Sequence, residues 1–89
     1  MGKWKIRKTS IFRRQYDNIG HERMVLADKA IAELVDSDNP AVLGKYKRKI
    51  RASSYEIGGT DRLLYSLDYG RREITLLYVG DHKAVYGRD

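Results

Sequence analysis

Three side chains near the C-terminal half could act together on a phosphate: Arg62, which opens the stretch RLLYSLDY, and His82 and Tyr86 in the closing YVGDHKAVYGRD. A guanidinium fork matches two phosphate oxygens and stays charged at every physiological pH. An imidazole, with an ordinary pKa of about 6.5, serves as acid or base near neutrality. A phenol donates a hydrogen bond to a ribose hydroxyl or stacks on a base. These are the groups that metal-independent RNA cleavage requires. A 2′-hydroxyl attacking the neighbouring phosphate needs a base, fixed positive charge for the transition state, and an acid for the leaving 5′-oxygen.

Each of these residues also has an ordinary structural reading. Arg62 would pair with Asp61 or Asp68, His82 would cap the turn at Gly80 and Asp81, and Tyr86 would be an edge-strand core aromatic. In an extended chain His82, Ala84 and Tyr86 share one face, with Lys83 and Val85 on the other. For the base, Glu56 and Asp81 are the carboxylates to consider.

Charge distribution points the same way. The 89 residues carry a net charge of +6, and the cations are segregated. Lys3, Lys5, Arg7, Lys8, Arg13 and Arg14 come with no acid among them, as do Lys45, Lys47, Arg48, Lys49 and Arg51 in LGKYKRKIR, whereas HERMVLADKAIAELVDSD between them is acidic on balance. Such clusters favour a phosphate-rich partner, because each neutralised phosphate releases condensed counterions. The plainer alternative is a solvated basic face.

Other chemistries find little in the sequence. The two histidines, His21 and His82, are far apart and begin no spaced ligand motif, so a metal centre is not expected. His21, at a helix start, reads as a surface residue. Phosphate-loop, GxGxxG and GxSxG patterns are absent, and no cofactor is implied. With no cysteine, neither disulfides nor a thiolate metal cage is available, which fits a reducing compartment. No apolar run approaches the roughly 20 residues of a membrane span, and no signal-peptide core follows the basic start. A cytoplasmic protein without membrane contact is the expectation.

The elements that would position these groups follow from periodicity. Residues 1–89 suit a single domain with one modest core. WKIRKT alternates as a first strand, with Trp4 and Ile6 on one face. Ser10 is the expected N-cap of a short helix, SIFRRQYDNIG, ending at Gly20. A longer helix is expected from about Glu22 to Val35, with Met24, Ala27, Ile31 and Leu34 as its apolar stripe, and SDNP stops it. Alternation then predicts a strand over 46–51, with Lys47, Lys49 and Arg51 on one face. SSYEIGGTD reads as a loop or bulged connection bent at Gly58 and Gly59. RLLYSLDYGRREITLLYVG reads as two strands turning at Tyr69 and Gly70, and HKAVY as a short last strand. The sum is an α+β domain: two N-terminal helices on a four- to five-stranded, mainly antiparallel sheet.

Three stretches in this order, LGKYKRKIR, DRLLYSLDY and ITLLYVGDHKAVY, resemble the RelE/ParE superfamily of toxins from bacterial and archaeal toxin–antitoxin pairs. The resemblance spans nearly the whole chain, from WKIRKTSIFRRQ to Tyr86. It implies the RelE-like fold and a cytoplasmic toxin restrained by a cognate antitoxin wrapped around it. RelE-like members cleave messenger RNA in the decoding (A) site of the small, 30S ribosomal subunit without a metal. ParE-like members share the fold and act on DNA gyrase, and a non-catalytic RNA-binding relative is the remaining alternative.

By the same resemblance Arg62 matches the arginine used on the scissile phosphate, and Lys47, Lys49 and Arg51 lie where the basic strand contacts RNA, with Lys45 and Lys83 as further cations. Tyr86 matches the C-terminal aromatic that orients substrate. His82 stands where many members have a second arginine, while other nuclease members use a histidine there as acid or base. An acidic, partly disordered antitoxin segment would suit a basic sheet bearing Tyr46, Tyr65, Tyr69 and Tyr78, although surface aromatics could equally be core.

Overall fold

The computed structural model describes residues 3–81. Strand β1 (Lys5–Lys8) leads into α1 (Ser10–Asn18) and α2 (His21–Asp36), and four strands follow: β2 (Lys45–Lys47), β3 (Ala52–Ile57), β4 (Asp61–Asp68) and β5 (Glu73–Asp81). They form one sheet in the order β1-β5-β4-β3-β2. Only β1 and β5 run parallel; every other pair is antiparallel. The α+β architecture with two N-terminal helices is thus as expected. HKAVY, the expected last strand, lies outside the described residues. No helix among the described residues is long and apolar enough to cross a membrane.

The cap of α1 is Thr9 rather than Ser10. Thr9 Oγ1 accepts from the Phe12 N–H at 3.1 Å and donates to the Leu76 carbonyl at 3.0 Å. Either hydroxyl could satisfy the exposed first turn, and β5 decides between them by offering Thr9 a second partner. The helix ends at Asn18, short of Gly20, whose φ of +94° lets the chain turn directly into α2. His21 is the exposed first residue of α2. On that helix Ala27, Ala30 and Leu34 are buried, and Met24 and Ile31 are half-buried.

The main departure lies between Lys45 and Ile57. The expected strand over 46–51 stops at Lys47. Arg51 adopts φ +51° and its N–H donates to the Arg48 carbonyl at 3.4 Å, so 48–51 reverse the chain. The presumed loop SSYEI is therefore β3, an inner strand between β2 and β4. Ser53 and Ser54 are buried there, opposite Tyr46 and Lys45 on one side and Tyr65 and Leu64 on the other. Their low strand propensity is overridden by pairing on both flanks. Gly44 is needed beside this hairpin: a Cβ there would sit 2.7 Å from Tyr65 Oη and 2.8 Å from the Ser54 carbonyl oxygen.

The two remaining turns fall near the expected places. Gly58 and Gly59, both at positive φ, join β3 to β4, and residues 69–72 join β4 to β5 with Arg72 at φ +50°. A bulge between Leu64 and Tyr65 shifts the β4–β5 register. The core includes Phe12, Leu34, Leu63, Tyr65, Ile74, Leu76 and Val79, and α1 lies against β5 while α2 lies against β3. Tyr65, expected on the surface as one alternative, is fully buried and donates to the Pro40 carbonyl at 2.7 Å. Burial pushes its phenol up to about 12.

Candidate functional site

Glu56, Arg62 and Gly80 occupy one row across β3, β4 and β5. The two charged residues flank the Gly58–Thr60 turn symmetrically, so the hairpin itself brings them together. Arg62 Nη2 lies 3.1 Å from Glu56 Oε2, and its Nη1 donates to the Asp61 carbonyl at 3.0 Å. Of the two expected partners, Asp61 is thus met only through its backbone, and Asp68 instead accepts from the Arg71 N–H. The side-chain carboxylate that Arg62 meets is that of Glu56. Arg62 keeps 24% of its side chain exposed and Glu56 keeps 62%, so solvent or a ligand reaches both.

A groove of about 510 Å³ runs past this pair, and Lys45, Lys47, Ser54 and Tyr55 line it too. Lys45 and Lys47 stand on the same face of β2 because they are two residues apart. Lys49 and Arg51 do not join them. Both sit on the 48–51 turn, and Arg51 lines a different cavity; the continuous basic strand face expected from alternation is broken by Arg51's left-handed backbone. His82, Lys83 and Tyr86 lie outside the described residues. Asp81, the second candidate base, ends β5 opposite Asp61.

Beneath the site, Asp61 is buried and receives two hydrogen bonds from Arg23, Nε to Oδ2 at 2.8 Å and Nη2 to Oδ1 at 2.7 Å. This bidentate pair ties α2 to the first residue of β4 and so fixes where Arg62 begins. The hydrogen bond to Asp61 raises the Arg23 guanidinium pKa still further. Sequence reasoning missed Arg23, since an arginine in the first turn of a helix carries no signal of a partner 38 residues away. Glu56 had a signal, its mirror position to Arg62 about Gly59.

Other phenols are committed. Tyr55 donates to Glu33 at 2.5 Å and Tyr16 to Asp28 at 2.6 Å, and each carboxylate pushes its phenol up to about 12. A second cavity, about 390 Å³, opens between Tyr46 and Tyr69, with Arg51, Ser53 and Ser66 among its lining. No group of three or more histidine, aspartate or glutamate side chains able to hold a metal occurs among the described residues.

No protein-family model and no curated protein matches the chain. Among solved structures, the toxin–antitoxin complex RelBE2 from Mycobacterium tuberculosis is similar, with a TM-score of 0.72 and 27% sequence identity over 92% of this chain and 94% of that one. The likeness covers nearly all of two chains of nearly equal length, and it supports the RelE-like fold for this chain.

Proposed function

We propose that this protein is a toxin of the RelE family, a metal-independent endoribonuclease that cleaves messenger RNA in the decoding site of the small ribosomal subunit. The observation that carries the reading is the Glu56–Arg62 pair, 3.1 Å apart in a groove that Lys45 and Lys47 also line. A bound strand would lay its scissile phosphate against Arg62, whose fork then serves two non-bridging oxygens. Glu56, freed from Arg62 as the phosphate enters, takes the 2′-hydroxyl proton. The 2′-oxygen bonds to phosphorus, the bond to the 5′-oxygen breaks, and a 2′,3′-cyclic phosphate results. His82 supplies the proton to the leaving oxygen and Tyr86 orients the nucleotide. Arg62 carries the electrostatic part, stabilising charge that develops only in the transition state.

The same reading includes a cognate antitoxin, acidic and partly disordered, that covers the basic groove. Its support is the net charge of +6 and the fact that the similar structure is itself a toxin–antitoxin complex. The protein would act in the cytoplasm, where ribosomes and messages are.

Expression in cells is expected to arrest growth with messages cut inside ribosome-occupied codons. Growth arrest with DNA damage and intact messages would transfer the protein to gyrase inhibition. In single-turnover assays Arg62→Ala is expected to slow cleavage by about a hundredfold, on the order of one lost oxyanion donor. Glu56→Gln is expected to cost a similar factor, as for a positioned general base. A Glu56→Gln rate equal to wild type would remove the carboxylate from the chemistry.

A further inference from the structure

We propose that the cavity between Tyr46 and Tyr69 is a stacking site for an unpaired nucleobase of a single-stranded RNA, separate from the Arg62 groove. Tyr46 and Tyr69 are 62% and 59% exposed, and they border the same cavity of about 390 Å³. Tyr69 is held in place from behind. Its hydroxyl donates to Asn39 Oδ1 at 3.0 Å, and its ring meets the buried Trp4 edge-on at 5.6 Å between centroids. A ring fixed before the ligand arrives gives up little side-chain freedom on binding. The hydroxyl of the half-buried Ser66, also in the lining, offers the edge of a base a hydrogen-bonding group.

Charge selects the occupant. Arg51 lines the cavity, and it closes the 48–51 turn, on which Arg48 and Lys49 are exposed, as is Lys47 just before it, with no acid among them. Aromatic faces beside a cluster of cations are what single-stranded nucleic acid requires: a flat surface for the base and positive charge for the backbone. A cationic ligand, the other guest that exposed tyrosines can cage, would be repelled.

Strand β2 connects this site to the groove. By alternation Tyr46 faces the second cavity, whereas Lys45 and Lys47 face Arg62 and Glu56. One RNA strand crossing this three-residue edge strand would meet phosphate-binding groups on one side and a base platform on the other. The inference rests on the RNA-cleaving reading for the identity of the natural strand, but not for stacking itself, which an uncleavable strand also shows.

The test is binding of a fluorescent 2′-O-methyl oligonucleotide, which has no free 2′-hydroxyl, at fixed salt, beside the same backbone with its bases removed. Tyr46→Ala and Tyr69→Ala are each expected to weaken the intact strand about tenfold, in keeping with the worth of one stacked base. The abasic strand is expected to bind both tyrosine variants as it binds the wild type. Tyr46→Phe is expected to bind like wild type, since the ring alone stacks. Arg51→Gln is expected to lower the salt slope by about one without removing the preference for bases. Tyr69→Ala also removes the packing on Trp4, so ring proton shifts of Tyr46 and Tyr69 in the wild-type protein, titrated with adenosine monophosphate against ribose phosphate, provide a readout that needs no substitution.

Unchanged affinity in Tyr46→Ala, or equal losses for intact and abasic strands, overturns the stacking site. So does binding of an acidic peptide at these rings with no response to nucleotide. If no RNA is ever cleaved yet the rings still respond to adenosine monophosphate, the nuclease reading fails and this one stands. Cleavage that is indifferent to Tyr46→Ala together with unchanged oligonucleotide affinity sinks this one alone.

Discussion

Two arginines divide the work at the candidate site. Arg62 lines the groove beside an exposed carboxylate, whereas Arg23 is locked into a buried carboxylate it cannot leave without cost. Breaking the second pair strands Asp61, only 4% exposed, and an unpaired buried charge is strongly destabilising. Arg23→Ala is therefore expected to lower unfolding free energy by about 3 kcal/mol, the low end for such pairs because Arg23 is partly solvated; urea unfolding measures it. The double variant Arg23→Ala with Asp61→Leu is expected to recover much of that loss, since it removes the charge as well as its partner. Recovery should leave cleavage slower than wild type, because the start of β4 is no longer tied to α2. At this scale the chemistry of the sequence singled out Arg62 as a candidate, and the structure sets it in a groove beside Glu56. Arg23 was not singled out, because helical and strand periods describe a residue's own element and say nothing about the carboxylate it meets across the fold.

The β2–β3 hairpin is the element on which both cavities depend. Its strands would not be found from propensity, since Lys-Tyr-Lys and Ala-Ser-Ser are poor advertisements for a sheet, and Arg51 gives no hint of its left-handed turn. Alternation in KYKRKIR continues past the point where the chain reverses, so the pattern promised a longer strand than the backbone makes. The secure parts were those where periodicity and burial agree: α2 with its Ala27 and Leu34 stripe, and β4 and β5 with their long apolar runs. Gly44 shows how tightly the hairpin seats. Gly44→Ala would press a methyl group against the Ser54 carbonyl as well as Tyr65 Oη, and backbone gives way less easily than a flexible side chain. A loss of about 2 kcal/mol is expected, within the range for overpacking. Thermal unfolding with and without Tyr65→Phe would separate the two contacts: if the loss vanishes once that hydroxyl is removed, the clash with Tyr65 Oη alone accounts for it.

For the whole molecule, three phenols give stability an alkaline edge. Tyr16 and Tyr55, each hydrogen-bonded to a carboxylate, and Tyr65, buried, all reach about 12, against an ordinary value of about 10 in the unfolded chain. A folded pKa above the unfolded one means the unfolded state releases its protons first. Their contribution is fully present below about pH 10 and is lost as pH rises through about 12. The denaturant midpoint is expected to fall steeply over that window, and phenolate absorbance to rise together with unfolding. Tyr16→Phe with Tyr55→Phe is expected to make the fall shallower; an unaltered profile would show that those two hydrogen bonds do not persist in solution. The parallel pairing of β1 with β5 has a different reach. Thr9 and Leu76, 67 residues apart in sequence, are bonded to each other, and β5 also flanks the strand that carries Arg62. Closing so long a loop is entropically slow, and such non-local pairing raises contact order and lowers the folding rate. On the translating ribosome β1 has no strand to pair with until β5 has been made. The Glu56–Arg62 hairpin forms locally, but the sheet that holds it is completed only after β5 has been made, which leaves an interval in which the hairpin exists and the sheet around it does not.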